Sequence, residues 1–143
     1  MNTLFICVAL TILLLYSLYF YSILSGKYAA YEDHLRAELM LLRETLGARY
    51  WRVLFPILGV TLCLEIAYFI SGWMAIDNNV FRMLTIVFAG FEVFHSGRTL
   101  WFMKKFIQKK IDASKLLNWR LERITVLSFY VHAVLGILLI VLP

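Results

Sequence analysis

The first apolar stretch of the chain, residues 3–24, reads TLFICVALTILLLYSLYFYSIL and contains no charged residue. A helix of about 20 apolar residues crosses the roughly 30 Å hydrocarbon core of a bilayer, so this stretch is long enough to span a membrane. Three further, mostly apolar stretches have spanning length, at residues 53–76, 80–103 and 124–142. They lack the apolar-polar alternation of membrane β-strands, and a chain in lipid must satisfy its own backbone groups, so we expect four transmembrane helices.

The composition indicates an integral membrane protein. Of the 143 residues, 62% are hydrophobic and only 16% are charged, whereas soluble domains carry about 25% charged residues. No Gly-, Pro- or Ser-rich linker and no shift in composition divides the chain, so residues 1–143 are predicted to form one domain. The expected fold is an all-α, antiparallel bundle of four transmembrane helices.

Basic residues are concentrated in two segments between the predicted spans, residues 25–52 and 104–123. These segments hold all of the 14 Lys and Arg residues except Arg82 and Arg98. Cytoplasmic loops of membrane proteins are enriched in Lys and Arg, so both segments are expected in the cytoplasm and both termini on the non-cytoplasmic side. The net charge of +5 is then mainly a topology signal, and we expect no nucleic-acid partner.

The second basic segment begins with a dense group of lysines, KKFIQKK at residues 104–110. A juxtamembrane group of this kind attracts anionic lipid headgroups. Lys104, Lys105, Lys109 and Lys110 are therefore candidate lipid contacts, and the orientation of the chain alone is the alternative explanation for them.

The first basic segment also carries an amphipathic pattern. Leu35, Leu39, Leu42 and Leu46 recur at the 4-3-4 spacing of one helix face, and charged residues occupy the other faces. Such a helix can extend the first span, lie on the membrane or pack on a partner. Other membrane subunits or a second copy of this chain are therefore expected partners, and Gly47 is predicted to end the helix.

Two further positions give local predictions. Pro56 is expected in the first turn of the second span, where its missing N–H costs least. Ser114 is a candidate N-cap for a helix that runs from about Lys115 into the fourth span.

Four ionisable residues interrupt the apolar spans: Glu65, Glu92, His95 and His132. A charged side chain in hydrocarbon costs several kcal/mol unless it is paired, hydrated or liganded, so such residues mark a functional site or an internal polar clamp. Helical spacing places each of them on a stripe of small and polar residues, which is the face that membrane helices turn towards one another.

Depth estimates bring these residues together. His95 lies nine residues from Lys104, and His132 lies nine residues from Arg123. At 1.5 Å per residue, both imidazoles are expected about 13 Å from the same membrane boundary. The same estimate puts the two glutamates level with each other, about one turn further in.

Three neighbouring side chains are expected to support the cluster. Tyr68 and Ser128 lie on the polar stripes of the second and fourth spans, and Arg98 lies one turn nearer the cytoplasm than His95. Hydroxyl and guanidinium groups can donate hydrogen bonds to buried carboxylates. Arg98 can alternatively extend to the interface.

Three roles fit the cluster. It can lock the register of the bundle, which suits a subunit of a larger membrane assembly. It can bind a cation, either a proton or a divalent metal held by Glu65, Glu92, His95 and His132, because Glu92-x-x-His95 places a carboxylate and an imidazole on one helix face. Alternatively, His95 and His132 meet the minimum for bis-histidine haem ligation in a small membrane enzyme or redox subunit.

The segment after the first span resembles part of a known family. Residues 32–37 read Glu-Asp-His-Leu-Arg-Ala and Phe55-Pro56 follow later. With the four spans, they resemble the membrane-associated eicosanoid and glutathione metabolism family, which implies a divergent four-span enzyme of glutathione or lipid metabolism. The family's Arg-Ala-x-x-Asn-x-x-Glu pattern is absent, since Leu39 or Met40 stands where Asn is expected. The segment up to Pro56 is also longer, so no glutathione-binding residue is assigned.

Overall fold

The computed structural model describes residues 1–108, 110–111, 113–116 and 118–142, and the secondary structure in these ranges is helical. A 3-10 turn at Gly47–Arg49 joins the second helix to the third. The α-helices are α1 (Asn2–Leu24), α2 (Tyr28–Leu46), α3 (Tyr50–Ala75), α4 (Asn79–Ile107), α5 (Ala113–Leu116) and α6 (Trp119–Val141).

Four of these helices, α1, α3, α4 and α6, are long and apolar enough to cross a membrane. Each contains most of one predicted span, so the expectation of an all-helical chain with four helices of spanning length is confirmed. Their lengths and compositions are those of a multi-pass membrane protein. α4 continues to Ile107, four residues beyond the predicted end of the third span.

The start of α6 differs from the prediction. The Asn118 side-chain oxygen accepts hydrogen bonds from the backbone N–H groups of Arg120 and Leu121, at 3.2 Å and 3.4 Å. Asn118 therefore caps α6, because a side-chain acceptor at this position satisfies N–H groups that lack partners inside the helix. Ser114 instead belongs to the four-residue helix α5, and its side chain lies outside the described part of the chain.

The position of Pro56 also differs from the prediction. Because the 3-10 turn leads directly into α3 at Tyr50, Pro56 is the seventh residue of this helix and does not lie in its first turn. Proline has no N–H, so the carbonyl of Arg52 lacks its usual partner four residues later.

An aromatic core forms where α1, α3, α4 and α6 pack together. The Phe5 ring lies at the centre of this core, in space that two glycines leave open. A Cβ on Gly136 would lie 2.7 Å from Cζ of Phe5, and a Cβ on Gly72 would lie 3.0 Å from Cε2 of the same ring. Small residues therefore allow α1 to approach α3 and α6 closely. The buried members of the aromatic core are Phe5, Ala9, Ile12, Tyr68, Ile76, Phe81, Phe88, Phe129 and Ala133.

A second core, which we call the loop-side core, lies at the other end of the helices. Leu39, Leu42 and Leu46 of α2 are half-buried against it, whereas Leu41 is 64% exposed. The last turns of α4 thus pack beside α2 and α5. The buried members of the loop-side core are Tyr50, Leu54, Met103, Phe106 and Leu116.

Candidate functional site

A cavity of about 190 Å³ lies between the two cores, and we call it the polar cavity. It contains side chains from all four long helices, and most of its polar lining consists of carboxyl, imidazole and hydroxyl groups. The lining residues are Tyr16, Leu58, Thr61, Leu62, Glu65, His95, Ser96, Thr99, Met103, Glu122 and Thr125.

Glu65 of α3 is held from α1. The Tyr16 hydroxyl donates a hydrogen bond of 2.9 Å to Oε1 of Glu65, and both residues are half-buried. The ring of Tyr16 stacks on Phe129 with centroids 5.5 Å apart, which positions the hydroxyl. The carboxyl group therefore has a neutral donor on one side and the polar cavity on the other.

His95 of α4 is held from α6. Its Nε2 lies 3.3 Å from Oε1 of Glu122, and the two side chains are 8% and 21% exposed. Glu122 was not predicted as a site residue, because residues 104–123 were expected to form a cytoplasmic segment. The chemical signal was present, since Glu122 is the one acidic residue in the first turn of α6.

Several buried polar atoms around the cavity have no hydrogen-bond partner among the described residues. They include Nδ1 of His95, Oγ1 of Thr99 and Oγ1 of Thr125, all three from residues that line the cavity. Oε1 of Glu92, one helical turn from His95, shares this property, and Glu92 is only 4% exposed. Buried polar atoms are normally satisfied, so this concentration of unpaired atoms makes the polar cavity the candidate site.

His132 lies in a different environment. Its Nδ1 is 2.6 Å from the hydroxyl of Tyr68, and its Nε2 is 3.0 Å from Oγ1 of Thr85. The rings of Phe81 and Phe88 lie beside the imidazole, with centroids at 4.4 Å and 5.6 Å. His132 is thus enclosed by the aromatic core, and both of its nitrogens have protein partners.

The hydrogen-bond directions in this group follow from the proton on Thr85. The Thr85 hydroxyl donates to the carbonyl of Phe81 at 2.8 Å. Its oxygen is then an acceptor, so Nε2 of His132 carries the proton and donates to it. Nδ1 in turn accepts from the Tyr68 hydroxyl. We call this fully paired group of Tyr68, Thr85 and His132 the histidine clamp.

The expectation that His95 and His132 lie level is wrong. Thr85 contacts His132, whereas His95 contacts Glu122. The ten residues from Thr85 to His95 in α4 therefore run alongside the ten residues from His132 back to Glu122 in α6. At 1.5 Å per residue, the two histidines are separated by about 15 Å along the helices. His95 lies level with Glu122, so α4 continues to Ile107 well past the level at which α6 begins with Trp119. The basic residues near the two helix ends therefore lie at different depths, and for this reason the estimate failed.

The three predicted supporting residues do not surround the carboxylates. Tyr68 bonds His132 instead of a glutamate. The Arg98 guanidinium carbon lies 4.6 Å from the ring centroid of Phe102, and Arg98 makes no ion pair within the described ranges. Ser128 is half-buried and lines a groove of about 490 Å³ between α4 and α6, together with His132.

The geometry gives no support to the metal and haem hypotheses. No three His, Cys, Asp or Glu side chains are arranged to hold a metal ion in the part of the chain that the structure describes. His132, a candidate ligand in both hypotheses, already uses both ring nitrogens in the histidine clamp.

Of the predicted lipid-binding lysines, Lys104 and Lys105 lie in the last turn of α4, and Lys110 follows the helix. Lys104 and Lys110 are exposed. The Lys105 ammonium lies 5.1 Å from the ring centroid of Trp101, a cation–π distance. Lys109 lies outside the described residues.

A third polar contact fastens α2 to the long helices. The Tyr19 hydroxyl donates to Oε1 of Glu32 at 2.7 Å, and Nε of Arg123 lies 3.4 Å from the same oxygen. Glu32 is only 7% exposed. The leucine pattern of α2 did not predict that Glu32 is buried.

Comparisons with protein-family models, with curated proteins and with solved structures gave no significant match. The resemblance to the eicosanoid and glutathione metabolism family therefore rests on the few residues that suggested it. Functional inference depends on the geometry of the polar cavity and the histidine clamp.

Proposed function

We propose that this protein is a membrane-embedded subunit of a larger assembly and that its polar cavity binds a cation, the proton above all. The supporting observation is the convergence of Glu65, His95 and Glu122, from three different helices, on one cavity. Groups that exchange protons within a membrane are typically carboxylates and imidazoles that face a bundle interior or a water-filled cavity.

A proton fits this geometry better than a divalent metal. A metal ion needs several ligand atoms at short distances from one point. Such a group of His, Cys, Asp or Glu is absent from the described residues. A proton needs only one acceptor and a nearby partner, which the pair of His95 and Glu122 provides, as does Glu65 with the Tyr16 hydroxyl.

We propose that the histidine clamp locks the register of the bundle, which is one of the roles that the sequence suggested for the ionisable residues. Tyr68, Thr85 and His132 come from α3, α4 and α6, so their hydrogen bonds join three helices at one level. Interhelical hydrogen bonds between polar side chains stabilise membrane bundles by about 0.6–2 kcal/mol each.

We further propose that α1, α3, α4 and α6 form an antiparallel bundle. Thr85 of α4 contacts His132 of α6, and His95, further along α4, contacts Glu122, which is earlier in α6. This order supports opposite directions for the two helices. Opposite directions for α1 and α3 are supported by Tyr16 bonding Glu65 while Phe5 lies against Gly72.

The basic segments are proposed to face the cytoplasm, with both termini on the other side. Lys104, Lys105 and Lys110 are then placed to contact anionic headgroups. α2 is proposed to be an amphipathic helix at this surface, since Leu39, Leu42 and Leu46 pack inward while Leu41 is exposed. Its outer face is available to other membrane subunits or a second copy of the chain.

Infrared difference spectroscopy tests the proton assignment. Purified protein in lipid vesicles is compared at a series of pH values, and the C=O band of protonated carboxyl groups is followed. We expect wild type to show a titrating carboxyl band, and we expect Glu65→Gln and Glu92→Gln each to remove part of it.

Glu44→Gln is the matched control, because Glu44 is an exposed glutamate of α2. Its carboxyl band should match that of wild type. If the Glu65→Gln and Glu92→Gln spectra also match wild type, neither glutamate binds a proton in this pH range and the assignment is wrong.

A further inference from the structure

We infer that the polar cavity also binds a small alkylammonium ion, a cation with a charged amine head and a short apolar tail. This inference rests on the proposed function, in that both require the cavity to favour a cation. It adds a substrate class for the same cavity, argued from the charge, the hydrogen-bonding groups, the apolar wall and the size of the space.

The charge of the lining favours a monovalent cation. Glu65 and Glu122 both line the cavity, and His95 is the partner of Glu122. Glu65 receives only the neutral hydroxyl of Tyr16 and makes no ion pair in the described part of the chain. When His95 is protonated, it offsets the charge of Glu122, and Glu65 is the lining carboxyl group left to balance the single positive charge of an ammonium group.

Unpaired acceptors line the same space. Thr99 and Thr125 are 8% and 2% exposed, and their hydroxyl oxygens have no hydrogen-bond partner among the described residues. An ammonium group has three N–H donors and no acceptor, so a carboxylate together with two hydroxyl oxygens matches its hydrogen-bonding capacity.

The remaining wall is apolar. Leu58 and Leu62 of α3 and Met103 of α4 line the cavity beside the polar groups. A bare metal ion or a proton gains nothing from such a surface, whereas an alkyl chain is stabilised when it is removed from water. The mixture of carboxyl, hydroxyl and aliphatic groups thus indicates an amphiphilic cation.

The volume sets the size of the ligand. The cavity has about 190 Å³, and an engineered protein cavity of about 150 Å³ binds benzene, a molecule of six carbon atoms. An alkylammonium ion of roughly five to eight non-hydrogen atoms therefore fits. n-Butylammonium is a suitable probe, and n-butanol has the same length without the charge.

Isothermal titration calorimetry on the full-length protein in lipid nanodiscs tests this inference. We expect n-butylammonium chloride to bind with saturable heat and n-butanol to bind at least about tenfold more weakly, because the alcohol lacks the charge that Glu65 balances. Sodium chloride at the same ionic strength should not displace the amine. Equal affinity for the alcohol and the amine would overturn the inference.

Two variants locate the site. Glu65→Gln should weaken n-butylammonium binding by about tenfold or more, since it removes a charge-assisted hydrogen bond. Thr99→Val removes only a hydroxyl and should weaken binding by about threefold or more, which keeps the test valid if the Gln variant does not fold. Glu44→Gln, on the exposed face of α2, should bind as wild type does. Binding that is unchanged in Thr99→Val and in a folded Glu65→Gln protein would place the amine elsewhere.

The outcomes separate this inference from the proposed function. A titrating carboxyl band without heat from n-butylammonium would overturn the alkylammonium site and leave proton binding intact. Saturable, variant-sensitive heat without a titrating carboxyl band would support the alkylammonium site and contradict the proton assignment.

Discussion

His95 and His132 are both buried histidines in apolar helices, yet their ring nitrogens have different partners. Both nitrogens of His132 contact hydroxyl groups, whereas His95 faces Glu122 through one nitrogen and leaves the other unpaired. A fully paired group in a water-poor core stabilises one arrangement, and an incompletely paired group beside a cavity has capacity for a ligand. We therefore propose separate roles for the two residues.

Thr85→Val tests the structural role of the histidine clamp. The variant keeps the shape of the side chain but leaves the Nε2–H of His132 without its acceptor, so we expect the free energy of unfolding to fall by about 1–3 kcal/mol. Equilibrium unfolding in mixed micelles measures this change. Thr11→Val is the control, because the exposed Thr11 hydroxyl bonds only the carbonyl of Cys7 in its own helix. A loss in Thr85→Val no larger than in Thr11→Val would contradict the clamp.

Residue chemistry made some of the site predictable from sequence. Glu65, Glu92, His95 and His132 were identified because ionisable groups are unusual in apolar spans, and the latter three are buried. Their partners Tyr16, Glu122 and Thr85 were not predicted. Partner choice depends on the relative register of neighbouring helices, and a one-turn error in register exchanges every contact across an interface.

The packing of the long helices depends on the close approach of α1 to α3 and α6. The Phe5 ring lies against Gly72 and Gly136, so it contacts α3 and α6 at once. Both glycines are buried. The partner that fills the space could not be predicted, because most side chains of α1 are apolar and give no preferred face. The cap of α6 was also missed, since Ser114 was predicted and Asn118 is the residue that accepts the hydrogen bonds.

Gly136→Ala tests this packing against a matched glycine in α4. The new Cβ would lie 2.7 Å from Cζ of Phe5 and 3.0 Å from Cζ of Phe81, and both rings are fully buried. Overpacking of this kind costs about 1–3 kcal/mol, which we expect to see as a lower free energy of unfolding in mixed micelles. Gly90→Ala meets no atom within 4 Å and should be neutral or slightly stabilising. Equal stabilities of the two variants would show that the close approach at Phe5 is absent.

Polar groups occur at three levels along the whole molecule. The histidine clamp lies within the aromatic core, the polar cavity lies in the middle, and the contact of Tyr19, Glu32 and Arg123 lies near the loops. Four spans and a buried ionisable cluster were predictable from composition and spacing. The separation of that cluster into the histidine clamp and the polar cavity could not be predicted, because it depends on how far α4 extends past the start of α6. We propose that the histidine clamp and the polar cavity are separate sites.

Nuclear magnetic resonance of the histidine side chains tests this claim most directly. The protein contains three histidines, so selective ¹⁵N labelling in lipid nanodiscs gives resolvable ring signals, with exposed His34 as an internal reference. We predict that Glu122→Gln shifts the ring signals of His95 and leaves those of His132 unchanged, and that Tyr68→Phe does the reverse. A variant that shifts both buried rings to a similar extent would contradict the division into two sites.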